Sequence, residues 1–87
     1  MENINIGKIL TNIAERFLNK ECTLYELDNA LQDYFNYSEL DNISDKEILE
    51  YGSVVYSYYG DYDMLNVDFK VIDENNKRIK VTDVYLI

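Results

Sequence analysis

The sequence predicts an α+β domain in the order α-α-α-β-β-β: two N-terminal helices plus a short third helix, packed on a three-stranded antiparallel sheet. Three observations predict it. Apolar residues recur every three or four positions as far as Phe35. Two capping-box patterns, Thr23 with Glu26 and Ser44 with Glu47, mark helix starts. From Ser53 the apolar spacing changes to two. At 87 residues the chain suits a single domain, 1–87, with one modest core.

The first helix is expected over about residues 5–20. Ile6, Ile9, Leu10, Ile13 and Phe17 form its buried stripe, with Asn5 or Asn3 as N-cap. The second is expected over about 24–36, with Leu24, Leu27, Leu31, Tyr34 and Phe35 inward. Cys22 and Leu27 occupy the hydrophobic-staple positions of its start. Only Glu21 and Cys22 separate the two helices, so a sharp corner or αα-hairpin follows. Ser44 starts a third helix that Tyr51-Gly52 ends after one or two turns, and so short a helix has to dock to persist. In the polar stretch before it, Tyr37 and Leu40 are the inward contacts.

The first strand begins at Ser53, and Gly60-Asp61 is a turn candidate. Tyr56 and Tyr58 share one face while Tyr59 takes the other, and at least one or two of these rings are expected to be exposed; the alternative is that Tyr56 and Tyr58 cap the core with hydroxyls in water. The second strand, about 62–72, points Leu65, Val67, Phe69 and Val71 inward and Met64, Asn66, Asp68 and Lys70 outward. Asp73-Glu74-Asn75-Asn76 is a turn. The third strand, about 77–86, sets Ile79, Val81, Asp83 and Tyr85 against Lys80, Thr82, Val84 and Leu86 on the opposite face.

Charge is distributed unevenly. Seventeen acids against eight bases give a net charge of -9. Residues 1–20 carry +1, residues 64–87 carry zero, and residues 21–63 hold eleven acids with Lys46 alone, for -10. The same stretch contains eight of the nine tyrosines. A single-sign field of this kind acts on encounter rates and partner choice. It opposes direct nucleic-acid binding, which rests on neutralising phosphates, and opposes docking to anionic membranes. No apolar run approaches the roughly 20 residues of a membrane span, and the N-terminus leads into no signal-peptide core. A lone cysteine suits a reducing compartment, so the expected location is cytoplasmic.

The residues needed for most catalysis are missing. Without histidine, a Ser-His-Asp, Cys-His or zinc-histidine site cannot be built, and one cysteine cannot form a cysteine-rich metal centre. Gly7, Gly52 and Gly60 make no phosphate-binding fingerprint. Cys22 at a helix start would favour a thiolate, yet its staple position makes a small buried hydrophobe the better account. The chain is therefore expected not to be an enzyme and to need no cofactor or metal.

Binding remains. Tyr51, Tyr56, Tyr58, Tyr59 and Tyr62 fall within twelve residues, interspersed with acids, and tyrosine offers large amphipathic area at small entropic cost. The candidate partner-binding residues are Glu39, Asp41, Glu50, Tyr59, Asp61, Tyr62 and Asp63. The expected function is a small acidic protein-binding module. Its partner would be a basic protein, in the sharper form a nucleic-acid-binding enzyme, with carboxylates standing for phosphates and tyrosines for stacked bases. In size and charge the chain resembles the broad class of phage- and mobile-element-encoded inhibitors of defence nucleases; the resemblance is compositional. Two alternatives stand beside this. One is a structural or self-associating component, a homodimer paired along the last strand with Val84 or Leu86 exposed. The other is a cation-binding regulator using Asp61, Asp63 and Asp68, or the turn at Asp73 to Asn76.

Overall fold

A computed structural model describes residues 5–57 and 63–87. The elements run α1 (Ile6–Phe17), β1 (Glu21–Thr23), α2 (Leu24–Phe35), a 3₁₀ turn (Glu39–Asp41), α3 (Asp45–Tyr51), β2 (Ser53–Ser57), β3 (Met64–Asp73) and β4 (Arg78–Leu86). The fold is α+β with three helices, as the periodicity indicates. The sheet has four antiparallel strands in the order β1-β4-β3-β2, which corrects the expected three strands and the α-α-α-β-β-β order. The additional strand is the short break between the first two helices. Glu21, Cys22 and Thr23 pair with Lys80, Ile79 and Arg78. Three residues are too few to display an alternation of their own, and it is the edge of β4 that makes them a strand.

This strand explains why α1 and α2 do not form a simple hairpin. Leu18 turns extended, Asn19 adopts a left-handed φ of 63°, and the Asn19 N–H donates to the Val81 carbonyl at 2.8 Å. The chain thus leaves α1, runs along the sheet edge, and enters α2 at Thr23. There both halves of the capping box form. The Glu26 N–H donates to Thr23 Oγ1 at 3.1 Å, and the Thr23 N–H donates to Glu26 Oε1 at 2.9 Å. At α3 the Glu47 N–H donates to Ser44 Oγ at 3.2 Å. Gly52 ends α3 at a φ of 72°, where an added Cβ would also lie 3.4 Å from the Phe69 carbonyl oxygen.

The core lies between the helices and one face of the sheet. Ile9, Ile13 and Phe17 of α1 and Leu24, Leu27, Ala30, Leu31 and Phe35 of α2 are buried, as are Ile48 and Leu49 of α3. Val54, Leu65, Val67, Phe69, Ile79 and Val81 meet them from the sheet.

The faces of β4 require a second correction. Ile79 and Val81 are buried, but so is Val84, which the strict alternation places on the other face with Lys80. Phe69 pairs with Val81 while the neighbouring Asp68 pairs with Asp83, so Thr82 is an extra residue opposite no partner. Such a β-bulge exchanges the two faces of a strand. A second irregularity sets Ile72 between the pairs Val71–Ile79 and Asp73–Arg78.

Candidate protein-interaction surface

The segment between α2 and α3 carries Glu39 and Asp41 and leads into Asp45, Glu47 and Glu50 of α3, and a buried polar cluster positions its start. Asp28 lies inside the apolar stripe of α2 and is buried. Its Oδ2 accepts the Ser38 hydroxyl at 2.6 Å, and its Oδ1 accepts the Tyr56 hydroxyl from β2. The Tyr56 oxygen accepts the Glu39 N–H at 3.1 Å, and Ser38 Oγ accepts the Leu40 N–H at 3.2 Å. Tyr37 stacks on Tyr56 with ring centroids 5.1 Å apart and accepts the Ser57 N–H at its own hydroxyl. Asp28, Ser38 and Tyr56 thus bind the start of the 3₁₀ turn to both the helical layer and the sheet.

Tyr56 is wholly buried, which overturns the alternative that its hydroxyl reaches water. Burial, and then the bond to Asp28, push its ionisation far above the ordinary phenol range, while the Glu39 N–H pulls the other way. Asp28 is absent from the sequence-based candidates. Its signal is visible: it stands four residues after Leu24 and three before Leu31, in the middle of the stripe that faces the core. A carboxylate there needs donors, since a buried charge without them is costly.

Outward from this cluster, the acids divide by what they do. Glu26 belongs to the capping box, and the Thr23 N–H, followed by the Thr23 side chain, holds its carboxyl below the usual range. Asp45, at the start of α3, accepts the Tyr25 hydroxyl at 2.7 Å and lies 4.0 Å from the Lys77 ammonium. Tyr25 itself is 46% exposed. Of the predicted interface residues, Glu39 is half-buried and accepts the Asn42 amide at 3.2 Å, and Asp41, Glu50 and Asp63 are exposed. Glu39 and Asp41 share the 3₁₀ turn and Glu50 sits in the last turn of α3. Asp63 lies apart from them in sequence, just before β3. Tyr59, Asp61 and Tyr62 lie outside the described residues, as do the Gly60-Asp61 turn and Tyr58.

Spacing alone does not select Tyr51, yet it is 68% exposed, the most exposed large apolar side chain among the described residues. Ile48 and Leu49 occupy the inward positions of α3 and leave Tyr51 outside, next to Glu50.

Other chemistry is constrained by the same geometry. Cys22 is buried, and desolvation, followed by the charge of Glu26, pushes its thiol up to about 11 despite Arg78 and Arg16 nearby. Among the described residues no three histidine, cysteine, aspartate or glutamate side chains are grouped to hold a metal ion. The Asp73 carboxylate is occupied by its own turn, accepting the Asn75 and Asn76 N–H groups and the Asn76 amide. Asp68 accepts the Asn66 amide at 2.7 Å, and desolvation, followed by the charge of Asp68, pushes the Tyr85 hydroxyl up. No helix among the described residues is long and apolar enough to cross a membrane.

No protein-family model, curated protein or solved structure matches this chain.

Proposed function

We propose that this chain is a small acidic protein-binding module whose 39–51 face docks on the basic, nucleic-acid-binding surface of a partner protein. It acts by occupancy, without catalysis, in a reducing compartment such as the cytoplasm. The observation that carries this reading is the combination of charge and exposed aromatic surface in one short stretch. Residues 39–50 hold Glu39, Asp41, Asp45, Glu47 and Glu50 against Lys46 alone, and the exposed Tyr51 follows directly. Carboxylates answer a surface evolved for phosphates, and a tyrosine ring answers a position where a base would stack. The buried Asp28–Tyr56–Glu39 connection supports the same reading, because a pre-positioned segment loses less entropy on docking.

The test is affinity capture from cells of origin at low and high salt. A basic, nucleic-acid-handling protein should be retained at low salt and released at high salt, since exposed charge pairs are screened. Retention of no such protein at low salt contradicts the proposal.

One observation favours a second reading, self-association. β4 has a neighbour on its outer edge only as far as Val81 among the described residues, and beyond it Tyr85, Leu86 and Ile87 are exposed. Val84, the other residue expected to serve such pairing, is buried. A solution mass of one chain at micromolar concentration removes this reading.

A further inference from the structure

Between α3 and β3 lies an open hollow of about 170 Å³, with Leu49 and Val71 as its apolar lining and Glu50 and Glu74 as its acidic lining. The two glutamates come from different elements, α3 and the turn after β3. Neither side chain makes a hydrogen bond or ion pair among the described residues, whereas nearby Asp45 and Asp73 are both engaged. Of the cations nearest in sequence, Lys46, one turn before Glu50, makes no ion pair with it among the described residues, and Lys77, three residues after Glu74, lies against Asp45.

An apolar floor with two uncommitted carboxylates suits one kind of side chain. A neutral apolar group would cover the floor but would leave both carboxylates beside it without compensation, and an anion would be repelled. A basic side chain satisfies both parts, because its methylene stem covers apolar surface while its head keeps its polar contacts. Arginine fits better than lysine, since its planar fork presents five donors and can serve two carboxylates together. We infer that this hollow receives one arginine side chain of the basic partner, with the stem on Leu49 and Val71 and the guanidinium between Glu50 and Glu74. The inference rests on the protein-binding reading and names the group that is recognised.

The experiment is an amide NMR titration of the full chain with N-acetyl-arginine amide, using the neutral citrulline analogue as control. Saturable shifts centred on Leu49, Glu50, Val71 and Glu74 are expected with arginine and not with citrulline. The E50Q/E74Q variant should weaken the arginine effect by about tenfold or more, the loss of charge-assisted bonds. Its melting temperature, measured alongside, reports that the fold is kept. Equal shifts with citrulline, shifts spread evenly over Asp33 and Asp41, or an unchanged titration in E50Q/E74Q would overturn the inference. The two readings separate cleanly. Arginine titration without capture of a basic partner removes the docking reading and leaves the ligand chemistry of the hollow. Capture that is equal for wild type and E50Q/E74Q, with no titration, removes the hollow and leaves the docking reading.

Discussion

The Asp28 carboxylate accepts the hydroxyl of Tyr56, which lies 28 residues further along the chain, and the same hydroxyl oxygen accepts the Glu39 N–H. One tyrosine therefore connects α2, β2 and the first acidic residue of the candidate interface. Buried polar groups that are fully satisfied specify one arrangement, because every alternative leaves a donor or acceptor unpaired.

Replacing Tyr56 by Phe keeps the ring and its stacking on Tyr37 but removes this junction. Asp28 then loses one donor and the Glu39 N–H loses its acceptor, so a loss of about 1–3 kcal/mol is expected. For a domain of this size, each kilocalorie moves the melting temperature by about 4–8 °C. Urea and thermal unfolding of Y56F, D28N and the double variant should show coupling between the two positions of about 0.5–3 kcal/mol. Strict additivity would show that the pair is not a unit.

At the start of α2, Thr23→Ala should cost about 1 kcal/mol by removing the cap. A pH effect accompanies it. The Thr23 N–H, more than any other group, holds Glu26 below its ordinary value of 4.5. The stabilisation is therefore present above about pH 4.5 and is lost as pH falls through the lower folded value. The stability difference between wild type and E26Q should shrink across that acidic window. A difference that stays constant from pH 6 to pH 3 would contradict the capping role.

Cys22 should be slow to react with a disulfide reagent at pH 8 in the folded chain and fast in urea, because its thiol is buried and its ionisation is pushed up to about 11. Its contribution to stability is fully present below the unfolded value near 9.0 and is lost as pH rises toward 11. Equal labelling rates in the folded and unfolded chain would refute the burial.

On the outer sheet face Asp68 stands directly opposite Asp83. Like charges in that position destabilise, so Asp83→Asn should raise stability by about 0.2–1 kcal/mol. The Asn side-chain oxygen can still accept the Val84 N–H that Asp83 now takes at 2.9 Å. An unchanged or lower melting temperature would mean the two carboxylates do not oppose each other in solution.

Much of this architecture was legible in the sequence, and the exceptions have physical causes. The stripes of α1 and α2, the capping box of Thr23 and Glu26 and the start of α3 at Ser44 are local signals, carried by residues within two turns of each other. β1 was not legible, because a strand of three residues has no period and exists only through its pairing with Arg78–Lys80. The bulge at Thr82 was hidden for the same reason, since only the partner strand reveals which residue is extra. The candidate surface divides likewise. Asp41, Glu50 and Asp63 lie off the apolar stripes and are exposed, while Tyr51 depends on which face of a two-turn helix docks.

Binding of a basic partner by the 39–51 face is tested by comparing capture by wild type with capture by the E39Q/D41N/E50Q/Y51A variant at low salt. Its melting temperature and amide spectrum serve to verify the fold. Wild type should retain a basic, nucleic-acid-handling protein, and the variant should lose it. Equal retention by both chains would place the interface elsewhere and contradict the claim.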